Sequence, residues 1–411
     1  MPCTRETRPR PPASQTAPSH STATSATRRR PWADLNAGLL DQRAGLEWIQ
    51  RHIAQLGGDH ANVMIYGESA GGASVVMQVA AYGGSKPVPF KRATAQSIGF
   101  GPTNTGKQTD AFFESATAFI GYPTSGSDAM PCLRNASVGA IVGAINHVQN
   151  GAFAPVIEGP TGFLPDLPSR LIADGKINDV EFVGGHCTGD GKTFAGGSSD
   201  DFQTDDNIRR LIFSRWPGVS NNTIDQALAI YPEPNATGSP FATQWERAST
   251  MAGEIIFTCM DWFHAEKMTS DGIENVFSYS WNAPDTVLYD ANPYLGAAHT
   301  SDLYYLFDVL ITFLSTFANA GNSFTPFNTS EATLAREAIA YWTSFAPSTD
   351  KESTSPTWES FAVPHSAARR RLELTRGGDV VINSTMENIT EAKIQRCQFW
   401  MSENVTAETR V

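Results

Sequence analysis

The pentapeptide Gly67-Glu68-Ser69-Ala70-Gly71 has the residue types of a serine nucleophile held on a sharp turn. Flanking glycines let the backbone turn without a Cβ clash, so the serine Oγ can project beyond the end of a sheet. A serine hydroxyl is a poor nucleophile at neutral pH, so it needs a base to take its proton and an acid to orient that base. Ser69 is therefore the candidate nucleophile, and its partners must come from elsewhere in the chain.

The residues around Ser69 predict the strand, turn and helix that such a nucleophile requires. The apolar run Val63-Met64-Ile65-Tyr66 comes before the pentapeptide, and a helix-compatible segment rich in small residues follows it. The pentapeptide alone is a weak signal, because a pattern with three fixed positions often arises by chance. Its context makes the signal stronger.

Further motifs lie along most of the chain. They include the run 36–50, which begins Asn36-Ala37-Gly38-Leu39-Leu40-Asp41-Gln42-Arg43, before the nucleophile and Arg396-Cys397-Gln398-Phe399-Trp400 near the end. Shorter motifs lie at 57–59, 62–63, 72, 90–93, 96–97, 132–134, 155–159, 296–299, 341–342 and 345–346. Together they closely resemble the type-B carboxylesterases, a family that also contains cholinesterases and fungal lipases. The resemblance covers about residues 34 to 404. It implies an α/β-hydrolase fold with a mostly parallel central sheet, and a carboxylic-ester hydrolase without a cofactor.

The resemblance also implies the partners of Ser69. Asp190, in Gly189-Asp190-Gly191, follows the apolar run 180–184 and stands where the family has a glutamate before the glycine. Aspartate is one methylene shorter, so its loop must approach the imidazole slightly more closely. His299, in Gly296-Ala297-Ala298-His299, matches the family's Gly-x-x-His element. Ser69 would attack the ester, His299 would move the proton and Asp190 would fix the imidazole tautomer, in the Ser, acid, His chain order of α/β-hydrolases.

Plainer interpretations stand beside these assignments. Asp190 could be an ordinary turn aspartate between glycines, and a lone histidine is usually structural. His186 and Cys187 precede Asp190 closely, but one short cluster without a second ligand group rarely binds a metal, so no metal site is predicted. Ser97 could hydrogen-bond near the acid or be a buried structural serine. The remaining histidines lack the family motif: His20, His52, His60, His147, His264 and His365.

The oxyanion of the tetrahedral intermediate needs preorganised N–H donors, of which Ala70 supplies the first. The family's other donors come from a glycine-rich loop, and the chain has no such loop before Ser69. The run 63–66 is also the first convincing strand, so we expect a sheet lacking its N-terminal strands, with an unpaired edge. These features predict weak activity or none for the 411 residues, and a truncated or mis-joined N-terminus.

Composition and charge indicate how the chain is divided and which partners are excluded. Residues 1–33 are rich in Pro, Ser, Thr, Ala and Arg, which predicts a disordered leader without a signal peptide, and residues 34–411 are expected to form one incomplete carboxylesterase domain. The charge of −12 argues against nucleic acid as a partner. The apolar window 311–320 is too short to span a membrane.

Cysteines and glycosylation sequons point to an oxidising, secretory environment. The chain has five cysteines, and its seven Asn-x-Ser/Thr sequons lie at Asn135, Asn221, Asn235, Asn328, Asn383, Asn388 and Asn404. The resemblance implies a disulfide between Cys259 and Cys397. It also pairs the Cys132 position with an earlier cysteine whose place is taken by Tyr122, so Cys132 is expected to be unpaired. Cys187 and Cys3 have no evident partner, and Cys187 is expected to be a small buried core residue.

Three functions fit these observations. The first is a secreted ester hydrolase acting on a small-molecule or lipid ester, and it is favoured because all three triad positions fit. The second is a catalytically inactive esterase-fold protein used for binding or adhesion, and the third is a nonfunctional truncated product. Neither the ester nor the oligomeric state is assigned.

Overall fold

The computed structural model describes residues 34–148, 151–307, 327–345, 357–362, 367–377 and 383–411. The predicted leader 1–33 and the apolar window 311–320 lie outside these ranges, as do Cys3, His20 and His365. None of the helices in the described part of the chain is long and apolar enough to cross a bilayer.

A single six-stranded sheet, with its strands side by side in chain order, organises the described residues. The first five strands run parallel and the sixth is antiparallel, which confirms the prediction of a mostly parallel sheet. The first strand has a partner on one side only among the described strands, as expected of an edge. The strands are β1 Met64–Glu68, β2 Arg92–Gln96, β3 Glu181–Cys187, β4 Val276–Trp281, β5 Arg370–Leu374 and β6 Thr385–Asn388.

Helices fill the connections between the strands, as parallel pairing requires, since the chain must cross back before each new strand. The helices are α1 Ala37–His52, α2 Ala70–Val79, α3 Gly106–Ile120, α4 Ala129–Arg134, α5 Val138–His147, α6 Pro168–Ala173, α7 Asp190–Ala195, α8 Asp205–Arg215, α9 Asn221–Ile230, α10 Gln244–Gly253, α11 Cys259–Ser270, α12 Thr286–Ala291, α13 Ser301–Leu306, α14 Thr329–Phe345, α15 Glu391–Trp400 and α16 Glu403–Thr409. A π-helical turn, Glu254–Thr258, joins α10 to α11, and short 3₁₀ turns lie at Ile53–Leu56, His60–Asn62, Ala81–Gly84, Ser199–Asp201 and Pro293–Leu295.

The sheet separates two apolar cores. Phe182 and Val183 are neighbours on β3, but they belong to different cores because successive strand residues point to opposite faces. Phe182 lies with residues of α2, α10 and α11, whereas Val183 lies with residues of α13 and α14. The central strands β2, β3 and β4 are buried along almost their whole length, as in other parallel sheets that helices cover on both faces.

One disulfide joins the C-terminal part of the chain to the core that contains Phe182. Cys259, at the start of α11, is bonded to Cys397 of α15, and both residues are buried. The pairing implied by the family resemblance is therefore confirmed. Cys132 is also disulfide-bonded, so the expectation that it is unpaired is wrong. That expectation failed because it considered only a partner near Tyr122 in the sequence. Cys187 is a free, buried thiol, as expected.

Candidate active site

Ser69 lies between the end of β1 and the start of α2, on the sharp turn that the sequence predicts. Its backbone has φ 57° and ψ −119°, a conformation that is strained for a residue with a Cβ. Close packing holds the turn in place: a Cβ on Gly67 would overlap the Gly71 carbonyl, and one on Gly72 would lie 2.7 Å from the Gln96 oxygen. The turn therefore depends on glycine at both positions.

Asp190 is the first residue of α7 and lies three positions after the end of β3. It is only 2% exposed, and its carboxylate is fully engaged by hydrogen bonds. Oδ1 lies 2.7 Å from Nδ1 of His299, while Oδ2 accepts from the Ser97 hydroxyl at 2.9 Å and from the Cys187 amide at 3.0 Å. Burial raises the pKa of Asp190, and the bonds from His299 and Ser97 oppose that rise.

His299 lies on the loop before α13, and backbone contacts attach this loop to the one that carries Asp190. The Gly189 amide donates to the Ala297 carbonyl at 2.8 Å. The imidazole is bordered by the rings of Phe194 and Phe257, with centroids 5.0 and 4.8 Å away. These contacts explain how groups 109 residues apart in the chain meet in a fixed orientation.

The other imidazole nitrogen faces Glu68, the residue just before Ser69. Nε2 of His299 lies 3.2 Å from Oε1 of Glu68, although the pair is not aligned as a hydrogen bond. Burial lowers the pKa of His299, but the bond and charge of Asp190 and the charge of Glu68 outweigh burial and raise it. The pKa of Glu68 is raised to about 7, mainly by burial, with Asp302 and Asp190 adding to the rise against the charge of His299.

The structure thus brings two of the three predicted residues into direct contact and places the third beside them. Within the described residues no hydrogen bond reaches the Ser69 hydroxyl, and the histidine is turned toward Glu68 instead. Sequence reasoning missed Glu68. Its signal was available, because an acidic side chain stands directly before the candidate nucleophile at the carboxyl end of a strand.

Beside the serine is a cavity of about 580 Å³. Ala70 and Gly99 form the part of its wall nearest Ser69, since a Cβ on Gly99 would lie 3.2 Å from Ser69 Oγ. The Ala70 amide is the first N–H of α2, so no intrahelical acceptor uses it. The Gly99 amide donates to the Ser69 carbonyl and is not free. The rest of the wall is mainly apolar and includes Leu35, Leu39, Met77, Phe100, Phe153 and Val156.

His186 does not join Asp190, although the two are close in sequence. Its Nδ1 lies 3.2 Å from Asp261, and its Nε2 lies 3.2 Å from the Arg371 guanidinium. Burial, aided by the positive charges of Lys393 and Arg371, lowers the pKa of His186 well below its ordinary value. In the part of the chain that the structure describes, no group of three or more His, Cys, Asp or Glu side chains is placed to hold a metal ion.

The chain is similar to known proteins in both sequence and structure. The carboxylesterase family matches residues 27–400. The chain is 31% identical to a secreted lipase of Arthroderma benhamiae over 87% of this chain and 62% of that protein, and 30% identical to Lipase 2 of Geotrichum candidum over 67% and 52%. It therefore spans between half and two thirds of the length of these relatives. The crystal structure of Aspergillus niger EstA superimposes with a TM-score of 0.74 and 26% identity, covering 92% of this chain and 70% of that one.

Proposed function

We propose that this chain, which belongs to the carboxylesterase family, hydrolyses carboxylic esters through an acyl-enzyme on Ser69. His299 is the base, and Asp190 is the carboxylate that orients it. The observation that carries this proposal is the 2.7 Å contact between His299 and buried Asp190, immediately beside the strained turn that presents Ser69. Such a turn is costly, and a fold keeps one where function needs it. The match to the carboxylesterase family and the structural likeness to Aspergillus niger EstA support this chemistry.

In the proposed reaction, Ser69 Oγ attacks the ester carbonyl carbon and Nε2 of His299 takes the hydroxyl proton. Asp190 accepts from Nδ1–H, which fixes the tautomer and stabilises the imidazolium. The Ala70 amide donates to the oxyanion. His299 then protonates the leaving alcohol, and a water molecule repeats the cycle to release the acid. For this reaction to proceed, Nε2 of His299 must move from its position beside Glu68 to the Ser69 hydroxyl.

Turnover is expected to be slow. Ala70 is the one oxyanion donor that we assign among the described residues, and losing a single donor typically costs about 10²- to 10³-fold in rate. This same observation favours the second candidate function, an esterase-fold protein that binds a ligand without hydrolysing it. The two candidates differ in whether Ser69 becomes acylated.

The cavity supports a class of substrate, and the relatives and the disulfide support a compartment. An apolar cavity beside Ser69 suits the hydrocarbon part of an uncharged ester. We propose that the protein is extracellular, since relatives are named secreted lipases and a disulfide closes the fold. The seven sequon asparagines are all exposed, so we also propose that the protein is glycosylated.

Labelling with a serine-directed fluorophosphonate tests the mechanism, because the probe reacts only with an activated serine. We expect the wild-type chain to be labelled on the peptide that contains Ser69, and the Ser69→Ala variant to remain unlabelled. Ser74→Ala is the matched control, since Ser74 lines the same cavity but its hydroxyl bonds the Ala70 carbonyl. Labelling of the Ser69→Ala variant would exclude this nucleophile. A folded but unlabelled wild type would support the binding function instead.

A further inference from the structure

A second cavity, of about 460 Å³, has Asp190 in its wall but shares no lining residue with the cavity beside Ser69. The wall is built by the end of β3, the start of α7, the segment from α10 through the π-helical turn, and one side of α15. The proposed ester hydrolysis gives this cavity no role, so its chemistry has to be explained separately.

Three cationic side chains line this second cavity. Lys393 and Arg396 are three positions apart on α15, so they lie on the same side of that helix, and Lys192 comes from α7. Arg396 is paired with Glu254 through two hydrogen bonds of 2.7 Å. Within the described residues, no hydrogen bond or ion pair reaches the ammonium group of Lys393 or of Lys192. Two of the three cations therefore have no anion in contact with them.

The carboxylates in the same wall are engaged by other groups. Asp190 is held by the contacts given above. Glu254, already the partner of the arginine, also accepts a hydrogen bond from the Tyr231 hydroxyl. Glu246 accepts from the Ala242 amide at 2.7 Å. The three carboxylates equal the three cations in number, but none of them contacts either lysine.

Lys393 lies in a cationic environment. Its side chain is half-buried, and the guanidinium of Arg371 on β5, which is itself paired with Glu387, acts on it. Burial, followed by the charge of Arg371, lowers the pKa of Lys393 to about 8, although the charge of Glu254 opposes this. A partly desolvated ammonium group near another cation is unfavourable, and a bound anion would offset that cost.

The rest of the wall contains hydroxyl groups and an apolar ring. Ser249 is only 3% exposed, and no group in the described part of the chain hydrogen-bonds its hydroxyl. Such unpaired buried groups are rare in native proteins. Thr258 belongs to the π-helical turn, a feature that often accompanies functional sites. Phe241 supplies the ring. The wall thus combines unpaired lysines, hydroxyl donors and an apolar contact.

We propose that this cavity binds a small oxyanion, a phosphate or carboxylate group held by Lys393 and Lys192. Hydrogen bonds between charged groups are the strong ones, and lysine is a common phosphate ligand. A volume of about 460 Å³ leaves room beside the oxyanion for a short organic group in contact with Phe241. The site goes beyond the proposed hydrolysis and does not depend on it.

Isothermal titration of the full chain with sodium phosphate, and separately with sodium acetate, tests the site at an ionic strength held constant with sodium chloride. We expect one anion to bind per chain. Lys393→Met should raise Kd about tenfold or more, because a hydrogen bond to a charged group is lost. Lys107→Met is the matched control, since Lys107 is an exposed lysine of α3 outside the cavity, and its Kd should equal that of the wild type.

Thermal unfolding shows whether the variants are folded. Lys393→Met removes a half-buried charge, so its Tm without added anion should equal or exceed that of the wild type. The rise in Tm that phosphate gives the wild type should be lost in this variant. Lys192→Met should also weaken binding, and it keeps the proposal testable if Lys393→Met does not fold.

The titrations also decide between the two anionic groups. A lower Kd for phosphate than for acetate assigns a phosphate group to the site, and the reverse assigns a carboxylate. The proposal is overturned if neither salt binds, or if the lysine variants bind with the same Kd as the wild type. None of these measurements uses the Ser69 hydroxyl, so their outcome is independent of whether the chain hydrolyses esters.

Discussion

Removing the disulfide between Cys259 and Cys397 should lower stability by an amount that follows from the length of the loop it closes. The two residues are 138 positions apart, and a loop of that length gives about 5 kcal/mol in the chain-entropy relation. Replacing both cysteines with alanine also removes two buried sulfur atoms, at about 1 kcal/mol each. The expected total is about 7 kcal/mol, a large part of the stability of an ordinary domain.

Thermal unfolding under non-reducing conditions measures this loss. A chain of this size has an unfolding entropy of roughly 0.8 kcal/mol/K, so Cys259→Ala with Cys397→Ala should lower Tm by about 9 °C. Substitution is preferable to a reductant, because a reductant would also open the bond at Cys132. Cys187→Ala is the control, since it removes a buried free thiol without opening a loop, and its Tm should fall by only about 1 °C.

If the bond stabilises the fold by closing a long loop, the Tm of the double variant should fall much further below that of the control than the loss of buried sulfur atoms explains. A Tm loss of 2 °C or less for the double variant, with the bond shown by thiol alkylation to be intact in the wild type, would refute it. The remaining stability would then have to come from packing between α11 and α15 that is independent of the bond.

Three further predictions concern the site. Asp190→Asn should lower kcat/KM for a soluble ester by about 10⁴-fold with little change in KM, because the amide cannot hold His299 in the required tautomer; a smaller loss than tenfold contradicts this role. Glu68→Gln removes a carboxylate 3.2 Å from Nε2 of His299, so the pKa of His299 should fall. The acid limb of the pH profile of kcat/KM should then move to lower pH. An unmoved limb would show that Glu68 does not act on the base. Gly67→Ala should prevent folding or soluble expression, because its Cβ would overlap the Gly71 carbonyl. Gly71→Ala should leave Tm unchanged or slightly raised, because a Cβ there meets nothing within 4 Å. Equal Tm values for the two variants would contradict the close packing of the turn.

Local pattern predicted the elements that carry the site. The apolar run 63–66 became β1, and the run 180–184 became most of β3. The segment after Ser69, predicted to be helical, became α2. These predictions worked because strand and helix periodicity are short-range properties of the chain.

Contacts between residues far apart in the sequence could not be predicted from local pattern. The bond of Cys132 was missed, since disulfide partners are brought together by the fold and not by proximity in sequence. The family resemblance did supply the pairing of Cys259 with Cys397. It also supplied Asp190 and His299, which composition and spacing alone could not have matched with Ser69.

What the sequence determined by itself is the strand-turn-helix around Ser69, since that rests on residue type and order. The mostly parallel sheet and the identity of the candidate triad were implied by the family resemblance of the sequence. Only the tertiary structure decided that His299 lies between Asp190 and Glu68 and that the Ser97 hydroxyl hydrogen-bonds the Asp190 carboxylate. Each of these depends on which segments pack together, and on the burial that raises the pKa of Glu68. Burial and contact across a hundred residues are properties of the folded chain as a whole.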